Sequence, residues 1–338
     1  MLKNNSIEEL LDLEEELKES FSEEDGSISK LISVYEMLYK KISMDKTNEY
    51  LTSMGQIKSQ LINYLVQYGT YLKTMSQKDN QSAVRCLKKA VSYEKRLPIA
   101  YYRLGFLHYK MKNYFQDALK FQKETEDMKY VLNSQQLYNC HLYLANCGLF
   151  IAKDAQEALS KLELKANVEE VPQYTTSPYY QLILDNENYL ERHAYQITTK
   201  DGTRYGTKED CEDMLENKDM IILDFTGRRN LLIFNGKEKN LSKNQAEMLR
   251  FFLLYSTGEK PLTKHHFYDL FSRGDKNGEI PTNTYIQNVT RLRTKLTEAG
   301  LNFPVIENVS GFRETAYYYN HLYPFVIMNR SDESFILA

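Results

Sequence analysis

The stretch "NTYIQNVTRLRTKL", residues 283–296, decides how the C-terminal part of this chain folds. Four bulky apolar residues recur in it at steps of four, three and four: Tyr285, Val289, Leu292 and Leu296. At about 100° per residue these side chains share one face of a helix, and we expect that face to be buried.

The opposite face of the same helix carries Thr284, Gln287, Arg291 and Thr294, and the stretch contains no acidic residue. These side chains donate and accept hydrogen bonds, and one of them is positively charged. The pattern predicts either a merely solvated helix face or a surface that binds a polar, negatively charged ligand.

Length and composition limit the classes of protein to consider. The chain has 338 residues, 42% of them hydrophobic and 26% charged, which favours two globular domains, each with its own core. The first residues are rich in Glu, and no run of about eighteen apolar residues occurs, so we expect a cytoplasmic protein without a membrane span. The four cysteines form no CxxC pair, which indicates reduced, buried thiols instead of a disulfide framework or a zinc site.

Charge is distributed unevenly along the chain. Residues 221–320 hold 14 basic and 10 acidic side chains, a net charge of +4, whereas the remainder holds 29 basic and 36 acidic ones, a net charge of −7. A basic C-terminal part beside an acidic partner is typical of a nucleic-acid-binding domain joined to a regulatory domain. A chance fluctuation of surface charge is the alternative.

Residues 1–164 are predicted to be entirely α-helical, with helices around 28–44 and 55–76. The segment 100–124 resembles a tetratricopeptide repeat, because bulky, small and aromatic residues fall where the 34-residue unit requires them: Tyr101, Leu104, Gly105, Tyr109, Tyr114, Ala118 and Phe121. Residues 82–100 resemble the second helix of a preceding unit, and 136–162 resemble a further hairpin. Such an array exposes a concave groove for a peptide, a partner helix or a second copy of the chain; an ordinary helical bundle is the alternative.

Residues 165–218 are interpreted as a connector. Its first part, 165–180, is rich in Pro, Thr and Ser and breaks the helical periodicity. A β-hairpin with its turn at Asp201–Gly202 and a short acidic helix over 208–216 follow.

Beyond residue 219 the pattern changes to short strands, "MIILDF", "RRNLLIF" and "GKEKNLS". Ser242 and Gln245 predict a capping box that opens a helix over 243–256. A second helix is expected to begin at Thr263, and its buried residues are Phe267, Leu270 and Phe271.

A third helix is expected after an N-cap at Thr282, and it contains the stretch quoted above. A hairpin with its turn at Ser310–Gly311 closes this part of the chain, and 321–338 remain as an apolar tail.

The order of strands, three helices and hairpin resembles the OmpR/PhoB-type winged-helix DNA-binding domain of bacterial transcription factors, over about 219–320. The motifs that carry the resemblance are "LSKNQAEMLRFFL", "PLTKHHFYDLF", "VTRLRTKL" and "IENVSGF". The fold class expected is therefore mainly α: a tetratricopeptide-like array of helical hairpins followed by an α+β winged helix-turn-helix. No receiver domain precedes it, so the helical array occupies the place of the sensor.

The resemblance implies that the third helix enters the major groove of duplex DNA. By position it implies DNA contacts from six side chains of that helix and one of the wing: Asn283, Thr284, Gln287, Asn288, Arg291, Arg293 and Arg313. For Arg293, contact with phosphate and packing are both open, because the helical wheel places it near the buried side. The family usually carries an Arg before the wing glycine; here that position is Ser310, and Arg313 is the substitute.

We therefore expect a transcriptional regulator that binds double-stranded DNA as a homodimer, with an RNA polymerase contact and a peptide or protein effector on the helical array. The sequence shows no GxGxxG, P-loop or HExxH motif, so neither an enzyme nor a cofactor or metal is expected. The alternative function is a protein-interaction scaffold whose winged helix binds a protein partner.

Overall fold

The computed structural model of the chain describes residues 4–20, 27–44, 49–74, 79–112, 132–161, 178–227, 229–271, 280–309, 314–333 and 335. Over these residues the protein is mainly α-helical, with a six-stranded mixed sheet and a three-stranded antiparallel sheet. Within the same residues, no helix combines the length and the apolar character that crossing a bilayer demands. The coarse prediction, a mainly α chain whose strands follow a helical N-terminal part, is confirmed.

Helices in the N-terminal part pack on one another in chain order. Their bounds are α1 Ile7–Ser20, α2 Ser27–Met44, α3 Met54–Thr74, α4 Asn80–Tyr93 and α5 Pro98–Lys110. The helices predicted around 28–44 and 55–76 are thus confirmed. Pro98 occupies the first turn of α5, where its missing N–H has no helical partner to lose.

Close packing of these helices depends on small residues. A Cβ atom at Gly69 would lie 3.0 Å from Leu87 Cγ, so α3 and α4 approach closely because Gly69 has no side chain. Gly105, which the sequence marks as a close-packing position, is buried in α5. The later positions of that predicted repeat, Tyr114, Ala118 and Phe121, lie outside the described residues.

Helix α6 runs without a break over Ser134–Lys161, so the hairpin predicted for 136–162 is wrong. A Cβ atom at Gly148 would meet no other atom within 4 Å, so this glycine does not mark a close helix contact. The stretch "AKDAQEA" that follows consists mostly of good helix formers, and the helix continues through it. Helix α6 packs on α5 and on α7, Pro178–Arg192; α7 falls in the predicted connector and was not predicted from the sequence.

A chain of buried polar groups joins α5, α6 and α7. Asn186 Nδ2 donates to Asn146 Oδ1 at 2.8 Å, Asn146 Nδ2 donates to the Tyr109 hydroxyl at 3.1 Å, and that hydroxyl donates to Glu187 Oε1 at 3.1 Å. Every group in this hydrogen-bond network has a partner, and the network positions the three helices against one another.

The large sheet has the strand order β2-β1-β9-β3-β4-β5. The strands are β1 Tyr195–Thr199, β2 Gly202–Gly206, β3 Ile221–Asp224, β4 Asn230–Phe234, β5 Lys237–Leu241 and β9 Phe325–Arg330. The hairpin predicted at Asp201–Gly202 is confirmed as β1–β2, and the acidic helix is α8, Lys208–Leu215.

Strand β9 lies at the centre of this sheet and is buried on both faces. It pairs in parallel with β3 and antiparallel with β1. Phe325 and Ile327 join a core with the helices of the C-terminal part, whereas Val326 and Met328 join a second core that includes Cys211 of α8. A strand buried on both faces is continuously apolar, as "FVIM" is.

Two of the sequence-based boundaries cut across this sheet. The division at 218/219 separates β1 and β2 from β3, and the division at 320/321 separates β9 from both of its partners. Residues 321–338 therefore include a central strand instead of a tail, and 195–206 belong to the same sheet as 221–241. Both predicted boundaries are wrong because the strands pair with distant segments, and no local sequence pattern reveals which segments pair.

The remaining elements pack on one face of the large sheet. They are α9 Lys243–Tyr255, β6 Leu262–Thr263, a 3-10 helix Lys264–Leu270, α10 Thr282–Glu298, β7 Ile306–Asn308 and β8 Ala316–Tyr319. Strands β6, β8 and β7 form the small antiparallel sheet in that order.

Local signals in this part behave as predicted, with two exceptions. The capping box at the start of α9 is present, with Gln245 N donating to Ser242 Oγ and Ser242 N donating to Gln245 Oε1. The expected second helix is a kinked 3-10 helix, although the burial predicted for its apolar residues is confirmed. Thr282 is the first residue of α10, and Pro281 takes the N-cap position without a side-chain hydrogen bond.

Candidate nucleic-acid interface

The apolar face of α10 anchors the helix in the core. Tyr285, Val289 and Leu292 are fully buried, as the spacing predicts, and Leu296 is 3% exposed. The Tyr285 hydroxyl donates to the carbonyl of Leu262 in β6 at 2.8 Å, and burial raises the pKa of Tyr285 far above its usual value. The hydroxyl therefore stays a neutral donor that joins α10 to the small sheet.

The polar face of α10 carries hydroxyl groups that are bonded to the helix backbone and longer side chains that are exposed to solvent. Thr290 and Thr294 donate their hydroxyls to carbonyls four residues earlier, at 2.9 and 3.1 Å. Asn283, Gln287 and Arg291 are exposed. These three side chains lie on the first three turns of the helix, where they can meet a ligand without displacing the core.

Thr284 and Asn288, which the sequence also predicts as DNA contacts, are half-buried. Asn288 Nδ2 donates to the carbonyl of Thr284 at 2.8 Å, so one amide donor of Asn288 is engaged within the helix. The side-chain oxygen of Asn288 can accept a hydrogen bond from a ligand, because an amide side chain has an acceptor as well as two donors.

Arg293 lies between α10 and the small sheet. Its Nε donates to the carbonyl of Ile306 at 2.9 Å, and its guanidinium lies over the ring of Tyr317 at 4.9 Å from the centroid. These contacts give Arg293 the packing role that the helical wheel indicated. A contact with phosphate stays a prediction.

Arg313 and Ser310 lie outside the described residues, so the predicted wing contact keeps the status of an expectation. Glu307 of β7 has two hydrogen-bond partners in the described residues. Glu307 accepts hydrogen bonds from Asn320 Nδ2 at 2.7 Å and from the Tyr318 hydroxyl at 2.9 Å, and these bonds lower its pKa.

Positive charge predominates along α10. The helix carries two arginines and one lysine against one glutamate, and that glutamate, Glu298, is its last residue. Glu298 lies 3.4 Å from Lys295 Nζ and 3.6 Å from Lys239 Nζ. The first four turns therefore contain no acid, and Asn283 lies in the first turn, at the positive end of the helix dipole.

The adjacent histidines His265 and His266 have different partners. His266 Nδ1 accepts from the backbone N–H of Thr263 at 3.1 Å and completes a capping box, whereas His265 Nε2 lies 3.4 Å from Glu314 Oε2. Across the part of the chain that the structure describes, no group of three or more His, Cys, Asp or Glu side chains is placed to hold a metal ion.

Contacts between helices α1–α7, called the helical layer, and the C-terminal part were not predicted from the sequence. Gln60 of α3 donates to the carbonyl of Asp269 in the 3-10 helix, and Arg103 of α5 donates to the carbonyl of Asp332. Arg103 could have been noticed, because it shares the apolar stripe of α5 with Ala100 and Leu107, where a charged side chain requires a buried partner.

Comparisons of the chain with protein-family models, with curated proteins and with solved structures found no match.

Proposed function

We propose that this protein is a sequence-specific transcriptional regulator whose C-terminal part is a winged helix that binds duplex DNA. The observation that carries the proposal is the construction of α10. One face is fixed to the core and to the small sheet, and the other exposes Asn283, Gln287 and Arg291 on an acid-free stretch.

Exposed amide and guanidinium side chains are the groups that read base edges. An arginine pairs bidentately with O6 and N7 of guanine, and asparagine or glutamine pairs with N6 and N7 of adenine. A helix fits the major groove of B-form DNA, so α10 would lie there with Asn283 foremost and Arg291 at mid-groove. The small sheet next to α10 ends in the β7–β8 hairpin, which takes the place of the wing.

The helical layer supplies the input or the dimer contact in this proposal. We also propose that this layer is tetratricopeptide-like and binds an effector peptide or protein. The protein would in addition contact RNA polymerase. In a homodimer the two winged helices would bind two half-sites, because the geometry of the dimer fits only one spacing between them.

DNA binding is tested with the intact chain by selection from a library of random duplexes, followed by affinity measurements on the selected and on an unselected duplex. Phosphate contacts release counterions, so log affinity should fall steeply with log salt concentration. A selected site with no salt dependence, or no duplex binding at all, would favour the protein-interaction scaffold.

The base contact is tested with Arg291→Ala. Loss of one good bidentate pair should weaken binding to the selected duplex by about 1–3 kcal/mol and leave the unselected duplex unchanged. Arg85→Ala is the matched control, because Arg85 is an exposed arginine of α4 in the helical layer. Equal losses on both duplexes would refute the base contact while leaving DNA binding intact.

A further inference from the structure

Residues 331–333, which follow β9, pack against Arg103 of α5 and Gln136 of α6, and these two side chains with the Val66 carbonyl of α3 are called the groove below. Ser331 and Asp332 are 8% and 6% exposed, although they directly follow the last strand of the sheet. The groove is formed by α3, α5 and α6, each of which contributes a contact to the bound segment or to the side chain that holds it.

Arg103 holds the backbone of this segment. Its Nε donates to the carbonyl of Asp332 at 2.8 Å, and its Nη2 donates to the same oxygen. Its Nη1 donates to the carbonyl of Val66 in α3 at 3.2 Å, and Glu333 Oε1 lies 3.9 Å from Nη2. The guanidinium, only 2% exposed, therefore spans from the floor of the groove to the segment.

Gln136 holds the adjacent carbonyl. Its Nε2 donates to the carbonyl of Ser331 at 3.1 Å. Its Oε1 accepts from the backbone N–H of Asn133 at 3.2 Å, and its own N–H donates to Asn133 Oδ1 at 2.8 Å. The start of α6 thus orients the amide so that the donor side faces the groove.

The segment carries the charges that neutralise the groove. Asp332 Oδ1 lies 3.0 Å from Nε of Arg330, and Glu333 N donates to the carbonyl of Arg330 at 2.9 Å, so the segment forms a compact turn. Arg103 and Arg330 are thereby matched by Asp332 and Glu333. A buried guanidinium without such partners is strongly unfavourable.

We propose that this groove is a peptide-binding site for an acidic segment, and that residues 331–333 of the same chain occupy it. The site recognises the segment by hydrogen bonds to two consecutive backbone carbonyls. The site is built from preoriented donors, Arg103 and Gln136, that contact main-chain oxygens. It binds its ligand in cis, and a free peptide of the same chemistry competes with the cis segment.

The site couples the helical layer to the sheet. Residues 331–333 continue directly from β9, which pairs with both β1 and β3. A competing peptide has to displace a segment fixed to the central strand, so occupancy of the groove is linked to the C-terminal part whatever that part binds.

The test uses a chain that ends at Arg330 and a labelled peptide of residues 329–335, with binding followed by fluorescence anisotropy. The peptide should bind the shortened chain at least about tenfold more tightly than the intact chain, whose groove is filled. Arg103→Met in the shortened chain should abolish binding, and Arg85→Met should not. Gln136→Glu is the sharper variant, because it retains the acceptor that caps α6 and replaces the donor that faces Ser331.

Equal binding to the intact and shortened chains, or no binding to a shortened chain with native circular dichroism, would overturn the proposal. If the shortened chain does not fold, hydrogen exchange of the intact chain decides. The amides of Ser331 and Glu333, which donate to Ala194 and Arg330, should exchange at least about tenfold faster in Arg103→Lys than in the wild type or in Arg85→Lys. Unchanged exchange in Arg103→Lys would show that Arg103 does not hold the segment.

Discussion

Replacement of Ile327 by alanine tests whether the apolar C-terminal segment is a core strand. Ile327 is 2% exposed, and its neighbours across β9 are Leu223 of β3 and Thr198 of β1. The substitution removes three carbon atoms, so at about 0.8 kcal/mol per buried methylene the transfer term alone is about 2.4 kcal/mol. The cavity left in a sheet packed on both faces raises the expected loss in the free energy of unfolding to about 3–4 kcal/mol.

The measurement is urea unfolding of the intact chain, followed by far-UV circular dichroism. Leu322→Ala is the matched control, because Leu322 belongs to the same segment but is 54% exposed. A surface substitution of this kind should change the free energy of unfolding by no more than about 0.5 kcal/mol. Losses of the same small size in both variants would show that 321–338 form a tail, and would refute the placement of β9 between β1 and β3.

Four further outcomes are expected. A fragment that begins at Ala194 should require more urea to unfold than one that begins at Lys218, because only the longer fragment supplies β1 as a partner of β9. Arg293→Ala should lower the free energy of unfolding by about 1–3 kcal/mol, measured by urea unfolding, because it leaves a carbonyl of β7 without its donor. In the native protein a thiol reagent should modify Cys86 first, because the other three cysteines are buried; denaturation should expose all four. The lowered pKa of Glu307 means that its contribution to stability is present above the ordinary glutamate pKa and is lost as the pH falls through the lowered value, so Glu307→Gln should flatten the acid limb of unfolding measured below about pH 4.5.

Much of the local structure follows from sequence patterns alone. The steps of four, three and four in 283–296 predict both the helix and its buried face, because side chains at that spacing must share one side of an α-helix. The Ser242–Gln245 pair predicts the start of α9, since each side chain satisfies a backbone N–H of the other residue. The Asp201–Gly202 pair predicts the hairpin turn because glycine tolerates a positive φ, and Gly202 has a φ of 137° in the structure.

The candidate interface was predictable only as far as it depends on one helix. Asn283, Gln287 and Arg291 are exposed as the helical wheel requires. The contact of Arg293 with the carbonyl of Ile306 was decided by a neighbouring strand, β7, that the wheel does not include.

The sequence by itself determined most of the helices and strands and their apolar faces, although not α7 or the unbroken α6, because these features depend on backbone propensity and on the spacing of side chains a few residues apart. Only the tertiary structure decided that "FVIM" near the C-terminus lies between β1 and β3, and that Arg103 holds the segment beyond it. Partners more than a hundred residues apart are chosen by the free energy of burying two apolar faces and of neutralising one buried charge together. That free energy depends on the whole packed chain and has no counterpart in any local stretch of it.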